Sequence, residues 1–351
     1  MARIRTYRCH ELNEDIASIR LDETDIPAPG PDEVQVRVMA CSVNFPDLLM
    51  VQGKYQHKPT LPFAPGGEGA GEVATVGTNV SGVKPGDPVV FGCRSGGFSE
   101  AINLPSASVR PLPKSMSYAK GASYGTAYQT AWVALSHRGS LQKDEWLMVH
   151  GATGGVGMAA VDVGKLLGAK VIGTGGRDDK LAVVSSRGAD EVINYTLPDG
   201  SQGGFRQRVK EVTGSGGADV ILDPVGGDVF DESMRCVNFG GRILTVGFTS
   251  GRWPQAAVNL ILIKEISVIG VRAGEIGRRN PELGRRLAGE LRDLAYSGAI
   301  DPYVCAGFPL ERAVDAMKML ELRNVVGKCV VTMNGYEFEP DDETADSSEQ
   351  N

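Results

Sequence analysis

The sequence predicts an α/β protein with two domains: a β-rich domain, and a doubly wound parallel sheet with helices on both faces. The chain has 351 residues, which is too many for one small hydrophobic core. From Arg3 to about Ala122, short strands are separated by turns rich in Gly, Pro and Asn. From about Gly125, helical runs alternate with short apolar strands, which is the pattern of βαβ units in a parallel sheet.

The first domain is predicted from its strands. Residues 34–40 alternate between apolar and polar side chains, as a half-buried strand does. Further strands are expected at residues 71–77 and 83–91, each bounded by turn residues. Together these segments favour a barrel-like arrangement.

The second domain is predicted from the apolar strands that separate its helices. These strands are expected at residues 146–150, 170–174, 191–194, 218–222, 242–246 and 266–271. Beyond them the pattern predicts an amphipathic helix at 281–297, a second helix at 310–321 and a final strand at 328–332. This last part is too small for a core of its own, so we expect it to complete the first domain.

The predicted boundaries follow from these segments. Residues 1–123 and 273–333 are expected to form one domain, and residues 124–272 the other. Residues 334–351 contain seven acidic side chains and no Lys or Arg, and we expect this tail to be disordered. Those seven charges equal the whole formal net charge of −7, so the rest of the chain is nearly neutral. A neutral body argues against nucleic-acid binding.

The composition indicates a soluble protein. Hydrophobic residues make up 42% of the chain and charged residues 23%. No apolar run reaches the ~18 residues that span a bilayer, and the first residues show no signal peptide. The six scattered cysteines contain no C-x-x-C pair, which favours the reducing cytoplasm and excludes a zinc ribbon.

A glycine-rich turn carries the first functional hypothesis. A short apolar strand ends in a turn where Ala152, Gly154 and Gly157 occupy the positions of a G-x-G-x-x-G motif, and the helix that follows stops at Gly168. Without Cβ atoms the backbone can approach phosphates, and free N–H groups at the helix start attract negative charge. An ordinary glycine loop remains the alternative. The predicted cofactor contacts in the turn are Ala152, Thr153, Gly154, Gly155 and Val156.

The end of the next strand indicates which dinucleotide binds. NAD-binding folds place an acidic residue there, about 20 positions after the glycine turn, to accept the ribose hydroxyl. This chain instead has Gly175 and Gly176, followed by Arg177 and Lys180. A 2′-phosphate favours such cationic side chains, so Gly176, Arg177 and Lys180 predict NADPH. The alternative is a solvated surface pairing of these cations with the neighbouring acids.

Several further motifs carry a family resemblance. They are Ser42-Val43-Asn44-Phe45, the segments 61–66 and 83–87, the segment 188–195, and Asp223-Pro224-Val225-Gly226-Gly227. With these, the chain resembles the medium-chain dehydrogenase/reductase superfamily, and within it the quinone oxidoreductases of the zeta-crystallin type. The resemblance implies a GroES-like catalytic domain and a Rossmann domain. It also implies no metal site, because Asn44 and Gly67 stand where the zinc alcohol dehydrogenases have a cysteine and a histidine.

The resemblance also implies roles for individual residues. It makes Asn44 a catalytic amide that donates to ribose or substrate, and Tyr55 a candidate proton donor. The implied cofactor contacts are Thr130, Lys180, Tyr195, Val225, Gly247 and Phe248. A structural role remains the alternative for each of three residues. Asn44 would stabilise a turn, Tyr55 would pack against its neighbours, and the Thr130 hydroxyl would bond within its own helix. We expect Asp47 to make local hydrogen bonds.

The implied reaction is a hydride transfer without a metal. Without a Lewis acid, the easiest acceptors are already electrophilic, namely a quinone or a carbonyl-conjugated alkene. A 2-enoyl-CoA or enoyl-thioester reductase is the enzymatic alternative, with Lys54 and Lys58 as the nearby basic residues. A non-catalytic NADPH- or RNA-binding protein is the alternative of another class. The resemblance also implies a homodimer formed through the strand at 266–271.

Overall fold

The structure is a computed structural model that describes residues 2–214 and 216–340. The chain forms two compact units: Met1–Gly125 with Pro302–Asn351, and Thr126–Asp301. In the part of the chain described, no helix is both long and apolar enough to cross a membrane. The α/β class is confirmed, since one unit is built mainly on strands and the other alternates strands with helices.

The first unit contains a two-stranded and a seven-stranded sheet. Its strands are β1 (Ala2–Arg8), β2 (Arg20–Ile26), β3 (Glu33–Ser42), β4 (Glu68–Val76), β5 (Pro88–Gly92), β6 (Ala101–Pro105), β7 (Val109–Pro111), β14 (Val304–Pro309) and β15 (Lys328–Thr332). The larger sheet has the order β14-β15-β3-β4-β5-β7, with β6 also paired to β3. Its helices are α1 (Phe45–Val51) and α10 (Ala313–Glu321), and α2 (Tyr118–Trp132) begins in this unit. Helix α1 was not expected from the sequence, and β5 begins later than predicted because Lys84 to Asp87 form a turn.

The second unit is a six-stranded parallel sheet with helices between its strands. The strands are β8 (Trp146–Val149), β9 (Lys170–Gly175), β10 (Glu191–Asn194), β11 (Ala218–Asp223), β12 (Val237–Thr245) and β13 (Ser267–Gly270). The helices are α3 (Gly155–Leu166), α4 (Asp178–Ser186), α5 (Arg206–Val212), α6 (Gly227–Cys236), α7 (Val258–Lys264), α8 (Ala273–Arg279) and α9 (Pro281–Tyr296). A short π-helix follows α2 at Val133–Arg138.

The strand order identifies how the second unit is wound. The order is β10-β9-β8-β11-β12-β13, so by position in the unit it runs 3-2-1-4-5-6. This is the order of a doubly wound dinucleotide-binding sheet. The central strand β8 is apolar throughout because helices cover both faces, and Leu147, Met148 and Val149 are fully buried. All six predicted strands are present, although β12 begins five residues earlier than expected.

One predicted boundary is corrected by the structure. The sequence predicts that residues 273–333 return to the first domain, but the return occurs at Pro302. Helix α9 stays with the second unit because it buries an apolar face made of Leu287, Leu291 and Ala295. In addition, Trp132 Nε1 donates a hydrogen bond of 2.9 Å to Glu290. Amphipathicity predicted the helix but could not say which core it covers.

The start of the predicted tail is also corrected. Asn334 Nδ2 donates to the carbonyl oxygens of Val38 and Glu100, at 2.8 Å each. The ring of Tyr336 packs edge-on against Tyr118, with the centroids 5.4 Å apart. Residues 334–340 are therefore held against the first unit, while residues 341–351 lie outside the described residues.

Candidate functional site

The glycine turn joins β8 to α3 and has the geometry of a phosphate cradle. Gly151 adopts a positive φ of 56°, which favours glycine. A Cβ atom at position 157 would lie 2.2 Å from the Gly151 carbonyl oxygen, so only glycine allows the helix to pack this close to the turn. Helix α3 begins after Gly154, and no side chain caps its first turn within the described chain. Its N-terminal N–H groups are therefore available to an anion.

Ala152, the departure from the glycine motif, is accommodated by the neighbouring strand. Its N–H donates to the Thr174 carbonyl at 2.9 Å, and its side chain is fully buried. The facing position is Gly173, where a Cβ atom would lie 3.3 Å from that of Ala152 and 2.7 Å from Val184 Cγ1. The methyl group of Ala152 thus occupies space that Gly173 leaves empty.

Two further loops lie beside this turn. A Cβ atom on Gly151 would contact Val225 Cγ2 at 3.5 Å, and one on Gly226 would contact Phe248 Cδ1 at 3.1 Å. The Thr249 N–H donates to the Pro224 carbonyl at 3.1 Å, which ties the loop after β12 to the loop after β11. The structure therefore brings the predicted residues Val225, Gly247 and Phe248 to one edge of the sheet with the glycine turn. These loops follow the carboxyl ends of adjacent parallel strands, where such sheets bind their ligands.

The residues after β9 divide into an exposed and a buried set. Arg177 is exposed and donates through Nε to Asp179 at 3.0 Å, so the surface ion pair is the arrangement present in the structure. Lys180 is buried, with 6% of its surface exposed, and Tyr195 is equally buried. Gly176 accepts a hydrogen bond from the Thr196 hydroxyl at 2.9 Å. Strand β9 ends at Gly175 without an acidic side chain, and the first acids after it are Asp178 and Asp179 in α4.

Thr130 lies within α2. Its hydroxyl donates to the Thr126 carbonyl one turn earlier, at 2.8 Å. This is the local helix bond that the sequence left open as the alternative, and its hydroxyl still has acceptor capacity.

Asn44 lies at the start of α1 in the first unit. Its backbone N–H donates to Asp47 Oδ2 at 2.8 Å, while Asp47 Oδ1 accepts from the Gly66 N–H at 3.0 Å. Asp47 therefore makes the expected local bonds and ties α1 to the turn before β4. Burial raises its pKa to about 6, in spite of these two donors. With Asn44 as the N-cap and Asp47 three residues later, these contacts form a capping box at the start of α1.

The Asn44 side chain joins a buried ion pair that sequence reasoning missed. Lys328 Nζ donates to Asn44 Oδ1 at 2.6 Å and lies 3.3 Å from Glu68 Oε1. Asn44 Nδ2 donates to the same Glu68 oxygen at 3.0 Å. Glu68 and Lys328 are only 4% and 7% exposed. The sequence contains one sign of this pair, because Lys328 is a charged residue at the start of the mostly apolar strand β15. Its partner Glu68 could not be found in this way, since it lies 260 residues away.

Tyr55 follows α1 in the same unit. It is partly buried and packs against the apolar core, and its N–H donates to the Leu49 carbonyl at 3.0 Å. Among the described residues its hydroxyl makes no hydrogen bond to the Asn44 cluster. The structure therefore does not bring the two predicted catalytic side chains into contact.

The side chains around Asn44 do not fit a zinc ion. Two free thiols, those of Cys41 and Cys93, lie in this part of the first unit. Both thiols donate to backbone carbonyls, Cys41 to Glu68 at 3.1 Å and Cys93 to Gly66 at 3.4 Å. Zinc requires thiolates, imidazoles or carboxylates in a tetrahedral set. Over the described residues, no three or more His, Cys, Asp or Glu side chains are grouped so as to hold a metal.

Comparisons with known proteins show the family of the chain. Two family models match: the alcohol dehydrogenase GroES-like domain at residues 30–114 and the zinc-binding dehydrogenase at residues 155–288. A quinone oxidoreductase-like protein 2 homolog of Nematostella vectensis is 36% identical over 330 residues, which cover 93% of this chain and 88% of that protein. The structure of Escherichia coli quinone oxidoreductase complexed with NADPH is 30% identical with a TM-score of 0.81, covering 94% and 99% of the two chains. The CurK enoyl reductase is 25% identical with a TM-score of 0.82 over the same shares.

Proposed function

Because the chain belongs to the quinone oxidoreductase family of the medium-chain dehydrogenases/reductases, and is therefore an oxidoreductase, we propose that it reduces a quinone or a carbonyl-conjugated alkene with NADPH and without zinc. The observation that carries this proposal is the meeting of three loops at the carboxyl edge of the parallel sheet. They are the glycine turn and the loops that hold Val225 and Phe248. Such an edge suits a dinucleotide, whose pyrophosphate needs backbone N–H donors and no obstructing Cβ atoms.

NADPH, when bound, supplies the hydride, and the second unit supplies its binding groups. The N–H groups at the start of α3 would hold the pyrophosphate, while Gly176, at the end of β9, would lie beside the adenosine ribose. Arg177 would exchange its present partner Asp179 for the 2′-phosphate, because a phosphate carries more charge than a carboxylate. An exposed pair such as Arg177–Asp179 is worth little, so the exchange is inexpensive.

The acceptor chemistry rests on the first unit. Where the zinc alcohol dehydrogenases have ligands, Asn44 offers an amide donor and Gly67 offers only backbone. An amide can stabilise the oxygen that becomes negative as hydride arrives, but it cannot activate an alcohol as a metal does. The acceptor must therefore be electrophilic on its own. Tyr55 is half-buried, and its hydroxyl donates no hydrogen bond among the described residues; it is the proposed donor of the final proton.

An enoyl-thioester reductase is the second candidate, favoured by the likeness to the CurK enoyl reductase. The hydride step is the same, but a CoA substrate needs cations for its phosphates. Lys54 and Lys58 are the two lysines that the sequence offers for these phosphates, and both are exposed. The Lys54 ammonium already lies 2.8 Å from Glu14 Oε1. This limited positive charge ranks the thioester below a quinone or enone.

A single assay separates these functions. The protein is mixed with NADPH and with 1,2-naphthoquinone, crotonyl-CoA or no acceptor, and NADPH oxidation is followed by absorbance. Turnover with the quinone and little with the thioester is expected. Faster turnover with crotonyl-CoA would select the second candidate. Tight NADPH binding without any turnover would favour a non-catalytic role.

The proposal extends to assembly and compartment. Strand β13 is the outer strand of the parallel sheet, and the preceding helix α7 exposes Val258, Leu262 and Ile263 to 74%, 78% and 68%. An open strand edge beside exposed apolar side chains fits a second copy of the chain, with the two edges paired. All six cysteines lie among the described residues as free thiols, which fits the cytoplasm.

A further inference from the structure

Glu68 and Lys328 form a buried charge pair between β4 and β15. Each side chain is more than nine-tenths buried, and the ammonium and carboxylate lie 3.3 Å apart. Removing two charges from water costs several kcal/mol, and apolar residues of similar size often stabilise such a position as well or better. The half-buried Asn44 bonded to both charges is the group that the pair can serve.

The two charges fix the orientation of the Asn44 amide. Lys328 Nζ donates to Oδ1 at 2.6 Å, and Nδ2 donates to Glu68 Oε1 at 3.0 Å. If the amide flipped by 180°, its NH₂ group would face the ammonium and its oxygen would face the carboxylate, and both contacts would be repulsive. Only one orientation is therefore stable. It uses one of the two Nδ2 hydrogens, and no acceptor for the other stands among the described residues.

We propose that Glu68 and Lys328 are positioning residues, which hold the Asn44 amide so that its second Nδ2 hydrogen donates to the carbonyl oxygen of the acceptor. This inference rests on the proposed function. As a hydride forms a new C–H bond on the unsaturated carbon, the displaced π pair moves to that oxygen, which becomes an enolate or phenolate. A proton then completes the two-electron reduction, and NADPH is oxidised to NADP⁺. A donor fixed before charge develops stabilises the transition state more than one that must first turn.

The test compares variants that differ in donor and in charge. Asn44→Ala is expected to lower kcat by ~100-fold, as loss of one oxyanion donor does. Lys328→Met frees Oδ1 and is expected to lower kcat by ~10-fold or more, with the Kd for NADPH within about twofold. Lys328→Gln should recover part of kcat, because the glutamine amide can still donate to Oδ1. Arg37→Met, which removes the partly exposed pair between Arg37 on β3 and Glu72 on β4, is the control and should leave kcat unchanged.

The double variant Glu68→Gln/Lys328→Met distinguishes positioning from stability. Lys328→Met alone leaves a buried carboxylate without its cation and should lower Tm. The double variant removes both charges, so Tm should recover while kcat stays low, because Oδ1 still lacks the ammonium. Recovery of kcat together with Tm would overturn the proposal, and so would a normal kcat in Lys328→Met.

A second readout works even if the wild type reduces no acceptor, in which case the proposed function fails on its own. In protein labelled with ¹⁵N-asparagine, the Asn44 side chain should give a resolved pair of amide protons, assigned by their loss in Asn44→Asp. Lys328→Met should shift or broaden that pair, while Arg37→Met should not. Unchanged Asn44 amide signals in Lys328→Met would refute positioning whatever the activity.

Discussion

Replacing Gly157 and Gly154 separately with alanine distinguishes two roles of glycine in the turn between β8 and α3. A Cβ atom at position 157 would lie 2.2 Å from the Gly151 oxygen and 2.7 Å from Ala152 Cα, both backbone atoms that cannot move alone. Alanine gains up to ~1 kcal/mol of helix propensity over glycine, but overpacking of this kind costs ~1–3 kcal/mol or more. A Cβ atom at position 154 would meet only the Gly151 oxygen, at 3.5 Å, an ordinary contact.

The expected results therefore differ in kind. Gly157→Ala should lower Tm by ~5 °C without cofactor, since 1 kcal/mol corresponds to ~2–4 °C in a domain of the size of the second unit, Thr126–Asp301. Gly154→Ala should lower Tm by only about 2 °C, because its φ of −89° suits alanine and only the preference of the N-cap position for glycine is lost. Its methyl group would still obstruct the pyrophosphate and should raise the Kd for NADPH at least ~10-fold, or ~1.4 kcal/mol. Thermal unfolding and fluorescence titration measure the two effects. The cradle is refuted if Gly154→Ala binds NADPH like the wild type.

Three other predictions concern the cofactor, a buried carboxyl and assembly. Arg177→Ala and Lys180→Ala should each weaken the binding of NADPH more than that of NADH. The result at Arg177 is the easier to interpret, because Arg177 is exposed and Lys180 is buried. An unchanged ratio of the two Kd values would contradict the 2′-phosphate assignment. Burial raises the pKa of Asp223 to about 6, from an unfolded value of ~4, so the wild type should lose up to ~3 kcal/mol of stability as the pH rises from about 4 to about 6. Asp223→Asn keeps an acceptor for the N–H groups of Val225 and Gly226 but does not titrate. The Tm of this variant relative to the Tm of the wild type should therefore be higher at about pH 8 than at about pH 4. A difference in Tm that is the same at both pH values would refute this prediction. Light scattering should give a dimer of the 37.2 kDa chain that Leu262→Glu with Ile263→Glu converts to monomer, and a monomeric wild type would exclude pairing through β13.

Local signals predicted most of the second unit. The strands were found because buried parallel strands are continuous apolar runs, and the glycine turn because its geometry depends on a few adjacent residues. The fit of Ala152 could not be predicted in this way. It depends on Gly173 in the next strand, whose relevance appears only once β8 and β9 are paired.

The boundary at Pro302 and the packed residues 334–340 show a second limit. Helix α9 was predicted correctly as a helix, yet its apolar face fits either unit in sequence terms. The acidic composition of the tail hid Asn334 and Tyr336, whose partners come from distant strands and a helix. Composition averages over a segment, whereas one amide or one aromatic ring can anchor it.

By itself, the sequence determined the α/β class and the glycine turn after the first strand of the parallel sheet. It also determined that Gly175 stands where an NAD-binding fold has an acidic residue, and that Asn44 stands where the zinc enzymes have a ligand. These are properties of residue type and of short spacing. Only the tertiary structure decided what surrounds Asn44. Glu68 and Lys328 are 260 residues apart and become partners because β4 and β15 both pair with β3. Burial then makes their charges count, since a buried ammonium and carboxylate orient a neighbouring amide far more strongly than solvated ones do.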